Sequence, residues 1–203
     1  MPNPNPPIPA ADREILRPLA ERVRAVAEGP AMNERRELWT HHNRLDSQRP
    51  MVLIEPWGIG NEMPVVHQLE CTSDTGRHVE RRLRGDLYQA EVIQDDFVVE
   101  PYYGANWNFQ FSDYGVSMQR HRSEDYEGMG SYSWDAPLSN LEGDLDKLKQ
   151  RTFAVDREGT LAEHQVIADA IGDILPLTLR GVPWWTMGMT MTAIHLAGLQ
   201  TPQ

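Results

Sequence analysis

Three short apolar runs in the chain each lead into a charged residue, a proline or glycine, and at least one aromatic residue. Proline lacks the backbone N–H that a strand ladder needs, and glycine permits a sharp turn, so we expect a strand to end at each point. Nearly continuous apolar runs of this length are typical of buried parallel strands. The pattern therefore predicts three parallel strands whose following residues meet at one edge of a sheet. The runs are residues 51–54, 97–99 and 175–179, and they are followed by Glu55-Pro56-Trp57-Gly58, Glu100-Pro101-Tyr102-Tyr103-Gly104 and Arg180-Gly181-Val182-Pro183-Trp184.

The stretches between these runs repeat their apolar residues at helical spacing. Asp12 is the expected N-cap of the first helix, which either kinks at Pro18 or has a separate first turn, because proline removes an interior hydrogen bond. Over residues 106–134 the spacing is less regular and suits a hairpin or an excursion over the site. The predicted helices span about residues 12–28, 33–48, 76–94, 141–150, 156–171 and 184–199.

Alternating helices and strands predict an α/β fold. Three parallel strands leave both edges of the sheet open, so we expect either an oligomer or the first part of a larger (β/α)8 barrel, a partial TIM barrel. The last predicted helix does not return to another strand, which favours the partial barrel. The expected organisation is a disordered proline-rich tail over residues 1–11, an N-terminal helical extension over 12–50 and the first part of the barrel over 51–203.

Composition narrows the classes of function. The chain has 19 basic and 30 acidic side chains and a formal charge of −11, which argues against a nucleic-acid partner. No apolar stretch reaches the roughly 20 residues that span a bilayer, and the first residues lack the features of a signal peptide, so we expect a cytoplasmic protein without a membrane partner. The single cysteine, Cys71, has no neighbour that would activate its thiol, and the histidines show no metal-ligand spacing, so we expect no metal site.

Four short motifs follow one another along the chain: Arg35-Arg36-Glu37-Leu38-Trp39 with His42-Asn43, Arg49-Pro50-Met51-Val52-Leu53, Asp95-Asp96, and Leu175-Pro176-Leu177-Thr178-Leu179-Arg180-Gly181. In this order they resemble the amino-terminal half of the uroporphyrinogen decarboxylase-like superfamily, over about residues 12–199. That superfamily is a (β/α)8 barrel that includes the heme-pathway decarboxylase and methyltransferases linked to a corrinoid or to coenzyme M. The resemblance implies a decarboxylase-like or methyltransferase-like enzyme for a tetrapyrrole or a small methylated substrate. It implies no cofactor in this chain, and zinc and a corrinoid in a full-length methyltransferase.

Two positions differ from the decarboxylase pattern. The first strand of the decarboxylase leaves through Arg-Gln-Ala-Gly-Arg, which grips substrate carboxylates, where this chain has Glu55-Pro56-Trp57-Gly58-Ile59-Gly60. The second strand of the decarboxylase ends in Phe-Ser-Asp, where this chain has Val99-Glu100-Pro101-Tyr102. Glu100 therefore replaces that acid only if the register shifts.

We interpret the residues after the three runs as a candidate site. Glu55 and Glu100 are the candidate catalytic residues, because two carboxylates at neighbouring strand ends favour a raised pKa for one of them, which then serves as a general acid. The alternative is that each glutamate pairs with a loop arginine or caps the next helix. Arg180 is the candidate for binding an anionic group, and its alternative is a salt bridge to Glu55 or Glu100. The other candidate substrate-binding residues, which either stack on a flat ligand or fill the barrel mouth, are Trp57, Tyr102, Tyr103 and Trp184.

Two functions stay open from the sequence. In the first, the chain is part of an enzyme whose partner is a small-molecule or tetrapyrrole ligand. In the second, it is a non-catalytic partial barrel that acts as a binding or assembly partner. Its open sheet then pairs in a homo-oligomer or with the missing barrel half.

Overall fold

Helices alternate with short strands along the chain, and the fold is mixed α/β, as the sequence predicts. The computed structural model describes residues 6–55, 63–122, 132–181 and 189–198. The chain divides into a first unit, Met1–Asn106 with Glu158–Arg180, and a second unit, Trp107–Arg157 with Gly181–Gln203. The helices are α1 (Ala10–Ala27), α2 (Pro30–Asn43), α3 (Pro64–His67), α4 (Asp74–Tyr88, continued by a π-helix over Gln89–Ile93), α5 (Leu141–Asp144, followed by a 3-10 turn over Leu145–Lys147), α6 (Arg157–Ile171) and α7 (Met189–Ala197). The strands are β1 (Tyr103–Asn106), β2 (Asn108–Phe111), β3 (Gln119–His121), β4 (Ser133–Asp135), β5 (Phe153–Asp156) and β6 (Leu177–Arg180).

The core of the first unit lies where α1 packs against α4. Both helices carry apolar residues three or four positions apart, so each presents one apolar stripe to the other. The guanidinium of Arg17 on α1 makes two bonds to the carboxylate of Asp173, of 2.8 and 2.7 Å, just beyond the end of α6. The buried side chains of the three helices are Leu16, Leu19, Ala20, Val23 and Ala27 on α1, Val79, Leu83 and Leu87 on α4, and Ile167, Ala170 and Ile171 on α6.

Helix α1 begins earlier than the sequence predicts. It starts at Ala10 and runs through Pro18, so the first turn is not separate. Ile8 is 3% exposed and packs in the core, so the predicted disordered tail does not extend to residue 11. Residues 1–5 of that tail lie outside the described part of the chain. Asp12 is inside the helix and does not cap it.

The carboxylate of Asp12 instead binds the start of α4. It accepts hydrogen bonds from the backbone and hydroxyl of Ser73, at 2.9 and 2.6 Å, and from the backbone and hydroxyl of Thr72, at 3.0 and 3.1 Å. Ser73 is the N-cap of α4, and its hydroxyl accepts from the backbone N–H of Gly76. Burial raises the pKa of Asp12, but the bonds from Ser73 and Thr72 outweigh burial and lower it to about 2.

Strands β1 and β6 pair in parallel, with Tyr103 opposite Leu177 and Asn106 opposite Arg180. The third predicted strand is therefore confirmed, with bounds two residues later at its start. The second predicted strand, residues 97–99, is wrong, because pairing begins only at Tyr103, beyond Pro101.

Side chains occupy the backbone groups that the second predicted strand would need. Arg35 and Arg36, both on α2, donate to the carbonyl oxygens of Phe97 and Val99, at 3.0 and 2.9 Å. The backbone N–H of Phe97 donates to Asp95 at 3.0 Å. The segment consequently joins no sheet among the described residues, since these groups already have partners.

The first predicted strand is also wrong. Residues 51–54, which we call the carboxylate-bound segment, donate from the backbone of Val52 to Asp96 and from the backbone of Ile54 to Asp95, at 2.8 and 2.7 Å. The side chains of Val52, Leu53 and Ile54 are 54%, 46% and 50% exposed. Within the described ranges the parallel sheet has two strands, and these ranges form no closed barrel.

Two antiparallel strand pairs make up the sheet structure of the second unit. Strand β2 pairs with β5, with Phe109 opposite Val155 and Phe111 opposite Phe153. Strand β3 pairs with β4, with Arg120 opposite Trp134, and residues 123–131 between them lie outside the described part. Residues 114–118, whose alternation suggests a hairpin or an excursion, form no strand. Strand β2 does not join the β3–β4 pair, because its partner comes more than forty residues later in the chain.

Candidate functional site

Arg180 and Tyr102 come together on one face of the β1–β6 pair. Arg180 ends β6, and its side chain turns back so that Nη1 lies 3.3 Å from the Tyr102 hydroxyl. The guanidinium carbon stands 5.9 Å from the centroid of the Tyr102 ring. A Cβ at Gly104 would lie 3.3 Å from Cδ of Arg180, so the missing side chain leaves room for the arginine stem. Parallel pairing and one glycine therefore position a cation over an aromatic ring.

The guanidinium of Arg180 is open to an anionic group. Arg180 is exposed, and no carboxylate of the described residues lies within ion-pair distance of it. The predicted alternative for Arg180, a salt bridge to Glu55 or Glu100, is thus not formed within these ranges. A guanidinium presents several N–H groups in one plane, so a carboxylate can bind two of them at once.

The two predicted catalytic glutamates lie in different settings. Glu100 precedes β1, and its Oε2 lies 3.6 Å from Nη2 of Arg36. Its partner lies on helix α2, whereas the alternative predicted from the sequence was an arginine in a loop. Glu55 is exposed at the end of the described segment that contains residues 51–54. Their catalytic role stays a prediction.

Tyr103 is the first residue of β1 and its side chain is buried, whereas Tyr102 precedes the strand and contacts Arg180. Tyr103 is 5% exposed, and burial raises the pKa of its hydroxyl to about 12. The cation of Arg82 opposes that rise, and the carboxylates of Asp86 and Glu163 add to it. The structure therefore does not bring Tyr103 together with Arg180. The two other predicted substrate-binding residues, Trp57 and Trp184, lie outside the described residues.

Sequence reasoning did not find the role of Asp95 and Asp96, which hold the carboxylate-bound segment in place. Asp96 makes two bonds to the guanidinium of Arg49, and its backbone N–H donates to Val52 at 2.9 Å. The bond from Arg49 outweighs burial and lowers the pKa of Asp96 to about 2. The side-chain amide of Gln89 donates to Asp95 at 2.7 Å. Two adjacent acids next to an apolar run indicate that such bonds can form. Their backbone donors, Val52 and Ile54, lie more than forty residues earlier in the sequence, so no local pattern identifies them.

The described ranges hold neither a metal-binding cluster nor a membrane-spanning helix. There, no group of three or more His, Cys, Asp or Glu side chains is arranged to hold a metal ion. None of the helices in those ranges is both long and apolar enough to cross a bilayer.

The chain was compared with protein-family models, with curated proteins and with solved structures. None of the three comparisons gives a match.

Proposed function

We propose that the chain is the amino-terminal part of an enzyme of the uroporphyrinogen decarboxylase-like superfamily, built as the first part of a (β/α)8 barrel. The motifs at residues 35–43, 49–53, 95–96 and 175–181 support the family. The parallel pairing of β1 with β6, reached through helix α6, supports the barrel. Barrel enzymes place their chemistry at the carboxyl ends of parallel strands. Arg180 ends β6, although its side chain extends back to Tyr102, which precedes β1.

The observation that carries the proposal is the exposed guanidinium of Arg180 above Tyr102. In the proposed site Arg180 binds a carboxylate of the substrate. The Tyr102 hydroxyl accepts from Arg180, which orients the guanidinium, and keeps its own O–H to donate to the same ligand. This fits a substrate of either family branch, a tetrapyrrole acid or a small methylated compound with an anionic group.

For the decarboxylase branch, the site also needs a proton donor. A carboxylate leaves as carbon dioxide, and a proton takes its place on the carbon that carried it. Glu55 and Glu100 are the proposed donors, since they are the acids that follow the first two apolar runs. A Glu100→Gln variant of the full-length protein with unchanged turnover would remove Glu100 from this role.

Anion binding by Arg180 is tested by titrating the chain with uroporphyrin and following the quenching of the porphyrin fluorescence. We expect Arg180→Gln to weaken uroporphyrin binding about tenfold and Tyr102→Phe about threefold, because one charge-assisted and one neutral hydrogen bond are lost. The matched control is Arg44→Gln, which removes the same charge from an exposed position on the end of α2. Equal affinity of the wild-type chain and Arg180→Gln for uroporphyrin would refute the proposal.

A second candidate function rests on the carboxylate-bound segment. The backbone N–H and C=O of Leu53 have no partner among the described residues, and its side chain and those of its neighbours are exposed. An extended apolar segment with one free edge is a template for a strand from another polypeptide. In this candidate the chain is a non-catalytic assembly partner. Sedimentation velocity would then show association that Leu53→Lys abolishes, whereas a cooperatively folding wild-type monomer would contradict it.

A further inference from the structure

Six residues of the second unit share one face of the β2–β5 pair, and we call this face the aromatic shelf. Side chains alternate between the two faces of a strand, so every second residue points the same way. The opposite face carries polar residues and Ala154. The shelf consists of Phe109 and Phe111 on β2, Phe153 and Val155 on β5, and two residues that line the same cavity, Trp107 just before β2 and Arg157 just after β5.

Three phenylalanine rings of the aromatic shelf contact one another and yet stay open on their outer side. The ring centroids of Phe109, Phe111 and Phe153 lie 5.1, 5.8 and 5.1 Å apart in the three pairs. Phe111 is 47% exposed and Phe153 is 58% exposed. Together with Gly181 the shelf lines a cavity of about 350 Å³, which lies within the size range of small-molecule sites.

Two arginines stack on rings of the aromatic shelf. The guanidinium carbon of Arg151 stands 4.8 Å from the centroid of the Phe111 ring, and its Nε donates to the backbone carbonyl of Ser112. The guanidinium carbon of Arg157 stands 5.6 Å from the centroid of the Trp107 ring. Arg157 is exposed, and no carboxylate of the described ranges lies within ion-pair distance of it. A guanidinium that stacks on a ring keeps the N–H groups in its plane free for an anion.

We propose that the aromatic shelf binds a flat aromatic small molecule that carries a carboxylate or a sulfonate. The ring of the ligand lies on Phe111 and Phe153, and the anionic group meets Arg157. Ring faces, together with a cation that has no acid partner among the described residues, select this class over neutral apolar ligands and over cations. The inference is independent of the proposed function, because no shelf residue belongs to the Arg180–Tyr102 site.

The test uses 8-anilinonaphthalene-1-sulfonate as the anionic aromatic probe and N-phenyl-1-naphthylamine as its uncharged counterpart. Both are titrated into the full chain and followed by their fluorescence. We expect Arg157→Gln to weaken binding of the sulfonate about tenfold, because a charge-assisted bond is lost, and to leave the neutral probe unchanged. Phe153→Ser should weaken both probes. Arg44→Gln and Leu161→Ser, which change an exposed arginine and an exposed leucine of the first unit, should change neither affinity.

A second variant adds bulk to the cavity. Gly181 lines the cavity, and no described heavy atom lies within 4 Å of the position that a Cβ would take there, so Gly181→Leu adds bulk at the cavity wall from a Cβ that meets no neighbour. We expect this variant to weaken both probes while its circular dichroism spectrum matches that of the wild-type chain.

Three results would overturn the inference. One is equal sulfonate affinity in the wild-type chain, Arg157→Gln and Phe153→Ser. Another is an equal loss of affinity for both probes in Arg157→Gln, which would show that Arg157 does not distinguish the anionic probe from the neutral one. The third is a wild-type dimer in sedimentation that Phe153→Ser converts to a monomer, because a second copy would then cover the aromatic shelf. Because uroporphyrin is itself a flat aromatic acid, its titration is repeated with Arg157→Gln. Loss of uroporphyrin affinity in Arg157→Gln but not in Arg180→Gln would assign that ligand to the shelf and refute the Arg180 site, so the two proposals fail separately.

Discussion

Replacing Gly76 with alanine tests whether the Asp12 carboxylate holds the start of α4. A Cβ at residue 76 would stand 2.5 Å from Oδ2 of Asp12 and 2.7 Å from Oγ of Ser73. Both distances are shorter than van der Waals contact, so at least one of these oxygens must move. Gly85 in the same helix has no described heavy atom within 4 Å of its Cβ position, and it provides the matched control.

The expected magnitudes follow from the bonds that Oδ2 of Asp12 accepts. Alanine in place of glycine inside a helix stabilises it by about 1 kcal/mol, and Gly85→Ala should show this gain alone. Moving Oδ2 away from Ser73 breaks bonds of 2.9 and 2.6 Å. Each bond to a charged group contributes about 1.5–3 kcal/mol, so Gly76→Ala should lose about 2–5 kcal/mol after the gain in helix propensity.

The measurement is urea unfolding at neutral pH, followed by far-UV circular dichroism, which reports the free energy of unfolding and its slope with urea. The same substitution is then made in an Asp12→Ala background. Because the carboxylate is absent there, Gly76→Ala should be much less destabilising than in the wild-type chain. The difference between the two backgrounds measures the coupling of Gly76 with Asp12.

Two outcomes would refute this reasoning. If Gly76→Ala is as stable as Gly85→Ala, the carboxylate of Asp12 is not held against the start of α4. If Gly76→Ala costs the same free energy in both backgrounds, the added methyl group acts on something other than Asp12.

Three other predictions concern buried polar groups of the first unit. The pKa of Asp12 in the folded chain is about 2, below its ordinary value of 3.8, so its contribution to stability is complete above about pH 4 and is lost as pH falls through about 2. Asp12→Asn should therefore flatten the acid side of the curve of unfolding free energy against pH. An unchanged curve would contradict this. Asp96→Asn should lower the free energy of unfolding by about 2 kcal/mol and speed proteolytic cleavage near residues 49–55, since charge-assisted bonds are lost; the exposed Asp146→Asn is its control, and equal cleavage rates would count against the role of Asp96. Cys71 is 1% exposed, and burial together with the Glu80 carboxylate raises its pKa to about 12, so an aromatic disulfide reagent should label it only in urea; rapid labelling of the native chain would show that the thiol is accessible.

The sequence predicted best those elements whose apolar residues face one core. Helices α1, α4 and α6 follow from periodicity because their stripes meet each other. Strand β1 does not follow from its apolar run, because Arg35 and Arg36 of α2 occupy the carbonyl groups of that run. Such bonds depend on where α2 lies in the fold, and no local pattern reveals it. The same holds for Asp12, whose local surroundings resemble an N-cap while its carboxylate binds a loop some sixty residues away.

Single residues of the candidate site were predictable, but their grouping was not. Arg180 and Tyr102 stand out in the sequence as a charge and an aromatic residue beside apolar runs. Whether Tyr102 or Tyr103 joins Arg180 depends on the residue at which β1 starts pairing, because a shift of one residue exchanges the two faces. The sequence contains one indication of the aromatic shelf, the alternating aromatic residues Trp107, Phe109 and Phe111. The partner strand that completes the shelf lies far along the chain, so its contribution needed the structure.

A substitution at Gly104 would change how far the guanidinium of Arg180 extends without changing the guanidinium or the Tyr102 hydroxyl. A methyl group there would press on the arginine stem at 3.3 Å and push the guanidinium outward from the Tyr102 ring. Larger residues would push it farther, so a graded series at residue 104 would vary the depth at which the proposed site holds an anion. Under that proposal, residue 104 would set the selectivity among acids of different length although it carries no functional group of its own.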